Sequence, residues 1–219
     1  MIYKAIKQFK DNLDLLPDYD FMQGKYRSEF EIFLTNPNLT KIDILDFFEL
    51  SALCYYCDSY NYGNKFECDE IFWEISDTDL RSLKPTYISE YINIIGQLFL
   101  AGYIDFLCKW DNSDRIDYAT NLSYYKEDKY QAWIYFRDNF FYEERFLRKY
   151  DNTYKEIVET SWDTPEFWSE YNILVAQTPK GTKYFNEILA PRFYNKYKDL
   201  SVEIDSKGNI IKWIGKINR

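Results

Sequence analysis

The sequence predicts a mainly α, α+β fold: a compact helical domain with a helix-strand-turn-strand unit in winged-helix order at its centre and a C-terminal β-hairpin. Three observations predict it. Apolar residues recur at helical spacing along most of the chain. The stretch YISEYINIIGQLFLAGYIDFLCKW (87–110) reads as an apolar helix, a glycine stop and a strand. SVEID and IIKWIGKI are β-rich runs on either side of SKGN, which is the signature of a hairpin turn.

The elements follow in chain order. Ile2, Ala5, Ile6, Phe9, Leu13 and Leu16 lie near helical spacing, so a helix is expected over 1–16, stopped by Pro17. A second helix is expected over 20–34, broken by Asn36-Pro37-Asn38. Thr40 has the chemistry of an N-cap, and Asp43 places a negative charge in the first turn, where the helix dipole favours it. The segment KIDILDFFELSALCYYCDSYN is expected to be one long amphipathic helix, and FECDEIFWEI (66–75) a helix in preference to a short strand. DTDLRSL reads as a short helix, and Pro85 stands near the next helix start. The helix over 87–101 should end at Gly102 as its C′ residue. Strands over 103–110 and 115–122 would flank the turn Asp111-Asn112-Ser113-Asp114.

A long aromatic helix is expected over 126–149. Asp163-Thr164-Pro165-Glu166 is a helix start that would open PEFWSEYNILVAQ. Pro179 and Gly181 punctuate the chain, and residues 182–198 read as a helix that Pro191 would kink or split. Without a long linker or repeat, residues 1–219 are expected to form a single domain, with one possible sub-boundary near 123–126.

Winged-helix order raises the question of nucleic-acid reading. The helix over 87–101 contains no Lys or Arg, and the loop where a wing would sit carries two acids. Phosphate contact needs bases, so this stretch reads as a core helix with its strand.

The chain has no histidine. That removes the commonest general base, the commonest metal ligand and every Ser-His or Cys-His dyad. No phosphate-binding loop, dinucleotide fingerprint or nucleophile elbow occurs among its 7 glycines. No cofactor is expected. No apolar run reaches membrane-spanning length, and the charged start lacks an apolar signal core, so a cytoplasmic protein without membrane contact is expected. Cys54, Cys57, Cys68 and Cys108 offer a weak zinc candidate. Cys54 and Cys57 fall inside an apolar helical pattern, which favours buried thiols and no metal. Acidic pairs such as Asp18 with Asp20 and Asp77 with Asp79 are what an acid-rich chain produces by chance. Asp205-Ser206-Lys207 reads as turn chemistry.

Charge is uneven along the chain. The net charge is −9, yet residues 11–80 hold 16 acids against the four bases Lys25, Arg27, Lys41 and Lys65, while residues 180–219 hold nine bases against four acids. An acidic surface rich in Tyr and Phe suits the capture of a basic protein, with charge speeding encounter and aromatics anchoring it. The expected function is a non-enzymatic acidic binding protein, an immunity- or antitoxin-type or phage-encoded inhibitor of a basic partner such as a toxin or a nucleic-acid-processing enzyme. Its expected contacts are Asp43, Asp46, Glu49, Asp58, Tyr60, Tyr62, Glu67, Asp69 and Glu70. Nucleic acid is not the expected partner. The alternatives are a winged-helix-like nucleic-acid-associated or regulatory protein, using Lys180, Lys183, Arg192, Lys196, Lys198, Lys212 and Lys216, and a histidine-free metal-dependent hydrolase. The basic C-terminal region could also fold back on the acidic part and lower its exposed field.

Overall fold

The hairpin forms where the sequence places it. Strands β7 (Ser201–Ile204) and β8 (Ile210–Ile214) pair antiparallel. Asp205 closes the turn by accepting the backbone N–H groups of Lys207 (2.7 Å) and Asn209 (2.8 Å), and Gly208 supplies the positive φ of 77°. The structure is a computed structural model that describes residues 1–9, 12–15, 29–54, 65–67, 85–108, 121–141, 160–168 and 173–219.

The expected helix over 1–16 is a correction: this stretch forms strands. Strand β1 (Ile2–Lys4) pairs with β7, giving the sheet order β1-β7-β8. The Met1 ammonium extends the ladder to the Ile204 carbonyl (2.6 Å), and Ala5 N–H extends it to Leu200 (3.1 Å). Strands β2 (Ile6–Phe9) and β3 (Asn12–Leu15) form their own antiparallel hairpin. The apolar spacing fits a helix, but β7 offers an open row of backbone groups, and pairing satisfies them.

A second sheet has the order β4-β6-β5, all antiparallel, with β4 at Lys65–Glu67, β5 at Ile104–Cys108 and β6 at Ile173–Gln177. Two helical expectations fail here. Residues 65–67 are a strand, the less favoured of the two readings of 66–75, whose remaining residues lie outside the described set. The helix expected from Pro165 is only a single 3-10 turn, Pro165–Phe167, and ILVAQ is the central strand. Ile173 and Val175 are fully buried there, and a strand covered on both faces reads as a continuous apolar run with no alternation. The partner of β5 in this sheet is β6. The returning strand expected over 115–122 lies outside the described residues up to 120, and Leu122 begins a short helix.

Helix α1 (Glu29–Leu34) ends in a turn at Asn36. Helix α2 (Lys41–Cys54) begins as predicted: Asp43 Oδ2 accepts from the Thr40 N–H and hydroxyl, both at 2.7 Å. Its expected extension through 55–61 falls outside the described residues, as do the expected helix at DTDLRSL and the turn at 111–114. Helix α3 (Pro85–Ala101) buries Tyr91, Ile92, Ile95, Leu98 and Phe99 and exposes Asn93 and Gln97, so it is a core helix with one wet face. It ends in a Schellman motif: Tyr103 N–H bonds to Leu98 O (2.9 Å) and Gly102 N–H to Phe99 O (2.8 Å), with Gly102 at φ 76°.

Helix α4 (Leu122–Tyr125) is separate from α5 (Lys129–Phe136), which widens into a π turn over Arg137–Phe141. The last long helix is continuous: α6 (Pro179–Tyr184), a π turn (Phe185–Leu189) and α7 (Ala190–Tyr197). Pro191 therefore does not split it. Proline has no N–H to give and crowds the carbonyl four residues back, and the wide turn immediately before it provides the room.

Among the described residues, many aromatics pack in the core. Phe136 is fully buried with Phe106, Phe140, Phe141, Trp168 and Trp162 around it at ring-centroid distances of 4.6, 4.9, 5.4, 5.5 and 5.9 Å. Such edge-to-face and offset contacts add to what area burial supplies. Among the described residues no helix is long and apolar enough to cross a membrane.

Candidate functional site

Helix α2 turns its acids toward the α6–α7 helix and the C-terminal tail, where the bases are. Asp43 lies at the centre, fully buried, because it is at once the first-turn acid of α2 and the residue that faces α7. Beyond its two bonds from Thr40, it receives the Tyr197 hydroxyl (2.9 Å), the Lys196 ammonium (2.8 Å) and the Arg219 guanidinium (2.9 Å). Burial alone would raise its carboxyl, but the donors from Lys196, Thr40 and Arg219 outweigh it and hold the group well below the usual carboxylate range.

Three and six residues further along, Asp46 and Glu49 continue the row. Asp46 pairs with Lys196 (2.6 Å). Glu49 takes both Arg192 (2.6 Å) and the Tyr184 hydroxyl (2.6 Å). Burial, and then the charge and hydrogen bond of Glu49, push the Tyr184 phenol up to about 12. Spacings of three on α2 (43, 46, 49) meet spacings of four on α7 (192, 196), so two charged ridges interlock. The expected fold-back of the basic region on the acidic one is thus found, as a seam between two helices.

Of the other expected contacts with a protein partner, Asp58, Tyr60, Tyr62, Asp69 and Glu70 lie outside the described residues, and Glu67 is placed by its backbone in β4. The expected nucleic-acid stripe is dispersed. Arg192 and Lys196 are in the seam. Lys180 Nζ donates to Ala101 O at 2.7 Å, and Lys212 pairs with Glu203 at 3.2 Å. Lys183, Lys198 and Lys216 are exposed. Of the four cysteines, Cys108 is buried at the end of β5, Cys54 ends α2, and Cys57 and Cys68 lie outside the described residues. Among the described residues no group of His, Cys, Asp and Glu could hold a metal ion.

No protein-family model, curated protein or solved structure matches the chain.

A second polar cluster was not anticipated from the sequence. Asp105 is buried in β5, where its carboxylate accepts Phe106 N–H (2.9 Å), Ser123 N–H (3.2 Å) and the Ser123 hydroxyl. It thereby caps α4 from another element, so the N-cap residue Asn121 makes no side-chain cap bond. The Asn121 amide is wholly buried, and among the described residues neither its nitrogen nor its oxygen has a partner. Burial raises the Asp105 carboxyl more than these bonds lower it. The available signal was an acid inside the apolar run IDFLC, since a strand buried throughout holds a charge only for a reason.

Proposed function

We propose that the chain is a non-enzymatic binding protein that captures a basic protein, in the manner of an immunity- or antitoxin-type or phage-encoded inhibitor. One observation carries this reading. Residues 11–80 hold 16 acids against four bases, and the seam pairs only three of those acids with bases of the C-terminal region. The other acids of this stretch include Asp58, Asp69 and Glu70, with Tyr60 and Tyr62 beside them in the sequence. Asp43 is fully buried and Asp46 and Glu49 are largely covered, so the seam is internal scaffolding and the contact role falls to the 58–70 segment. The nucleic-acid alternative is less well supported, because Arg192, Lys196, Lys180 and Lys212 already have acceptors.

The test is affinity capture with the tagged full chain, washed at low and high salt, beside an Asp58→Lys/Asp69→Lys/Glu70→Lys variant. The reading expects a basic protein retained at low salt and released by salt or by charge reversal. Retention of nucleic acid that is lost on reversing Lys183, Lys198 and Lys216 would overturn it. Retention of the same protein by the reversed variant would overturn it equally.

A further inference from the structure

Two tyrosines and a lysine make a cation site at the surface where α4 meets α5. Tyr125 ends α4 and Tyr135 lies in the last turn of α5. Their ring centroids are 5.6 Å apart and their planes differ by 38°, so the rings form a wedge and not a flat stack. The Lys126 ammonium stands over both, 4.0 Å from the Tyr125 centroid and 4.7 Å from that of Tyr135. Lys126 is exposed, and among the described residues its nitrogen has no hydrogen bond and no ion pair. The two rings are held from behind. Tyr135 meets Trp168 edge-on at 5.7 Å, Tyr125 stands 6.5 Å from Trp162, and both tryptophans are buried. Trp168 is fixed in turn by its indole N–H, which donates to the Ser161 carbonyl at 2.7 Å. A cation entering the wedge therefore finds it already ordered. The Tyr125 hydroxyl donates to the Asp163 carboxylate at 2.7 Å. A phenol that hydrogen-bonds to an anion gains electron density in its ring, which strengthens the negative face that attracts cations.

A primary ammonium is a poor match for such a place. It carries three N–H donors and is strongly hydrated, and ring faces offer those donors less than water does. A quaternary ammonium has no N–H to satisfy. Its charge gains from the ring faces and its methyl groups gain from leaving water. We propose that the wedge of Tyr125 and Tyr135 binds a trimethylammonium group, and that the Lys126 ammonium is its internal occupant, displaced when the ligand enters. The space required is the space that ammonium fills, and it opens directly to solvent. Lys126 can swing out without breaking any other polar contact among the described residues. This inference is independent of the proposed capture of a basic protein, which uses other residues.

Choline is the probe, and its carbon isostere, with an uncharged tert-butyl group in place of trimethylammonium, is the control. The full chain is titrated with each while the methyl proton resonance of the ligand is followed. The expected result is saturable choline binding with the methyl signal moved upfield by the ring faces, and a much smaller shift for the isostere. A trimethyllysine amide is titrated in parallel. Tighter binding than choline assigns the group to a modified protein, and weaker binding assigns it to a small molecule. An exposed cation–π contact favours its closed form by about two- to fivefold, so Lys126→Met should tighten choline binding by about that factor. Lys126→Arg, which keeps a cation over the rings, should not. The gain should persist in high salt, where the loss of one exposed charge is screened. Both substitutions are at an exposed position, so an unchanged circular dichroism spectrum is expected of each. Tyr135→Leu should abolish the upfield shift. Equal shifts for choline and its isostere, a titration that does not saturate, or a Lys126→Met affinity equal to the parent's would overturn the proposal.

Discussion

Asp43→Asn removes one charge and almost no volume from the middle of the seam, and the structure sets how much that should cost. Asp43 is fully buried and accepts from five donor groups, on Thr40 (two), Tyr197, Lys196 and Arg219. Breaking a buried ion pair by removing one partner costs about 3–5 kcal/mol because the other charge stays uncompensated. Two features place this case at the low end. Lys196 keeps Asp46 at 2.6 Å, and Arg219 is half exposed and can return to water. The amide oxygen also keeps part of the capping bond, whose full loss would cost about 1 kcal/mol. The expected loss is therefore about 3 kcal/mol, read as a urea midpoint lower by about 1.5 M at an unchanged slope of about 2 kcal/mol/M. Arg192→Ala is the control: its guanidinium is 47% exposed, and the expected cost is about 1 kcal/mol or less. The sign with pH is also fixed. The folded-state carboxyl of Asp43 is depressed, so its contribution is fully present above the unfolded value of about 4 and is lost as pH falls below it. Below that point the parent should lose stability more steeply than Asp43→Asn. A midpoint shift worth less than about 1 kcal/mol, or parallel acid profiles, would refute the seam as a source of stability.

Two packing predictions follow. Gly181→Ala would drive a Cβ into the Tyr103 backbone carbonyl, which also accepts the Thr178 N–H at 3.0 Å, so neither side can yield cheaply. The expected cost is about 1–3 kcal/mol in chemical denaturation, and a neutral result would show that the β6–α6 junction is looser than described. Phe136→Ala would empty the centre of the aromatic cluster at a cost of about 3–5 kcal/mol, with loss of near-ultraviolet dichroism from Trp133, Trp162 and Trp168. Retained dichroism at full stability would place the organising ring elsewhere.

Features written in local chemistry were legible in the sequence. The Thr40–Asp43 start of α2, the Gly102 stop of α3 and the Asp205 turn each depend on residues a few positions apart, and each is found. What depends on distant partners was not legible. Residues 1–16 have helical spacing, yet β1 pairs with β7, some two hundred residues away, and β2 pairs with β3. ILVAQ follows a sound helix-start signal, but burial between β4 and β5 decides its state. Asp43, Asp46 and Glu49 were readable as one acidic ridge, and Arg192 and Lys196 as one basic ridge; that the two meet needed the fold. Asp105 and Ser123 lie on separate elements and form no spaced motif, so the cluster they make was invisible.

The seam also changes what the chain's charge means. In the sequence, an acidic block and a basic block offer two rival functions, protein capture and nucleic-acid binding, each with its own surface. The structure brings parts of both blocks into one contact, and ions that neutralise each other at 2.6–2.9 Å contribute little to the field felt by an approaching partner. The two rivals are not affected equally. The basic block supplies Arg192, Lys196 and Arg219 to the seam and sets Lys180 and Lys212 on acceptors elsewhere, leaving few cations for phosphates. The acidic block supplies Asp43, Asp46 and Glu49, and Asp58, Asp69 and Glu70 lie outside the described residues. The seam thus subtracts three acids from one block and three bases from the other, and by sequence the acidic block began with the larger excess. The proposed capture of a basic protein therefore requires contacts other than those of the seam.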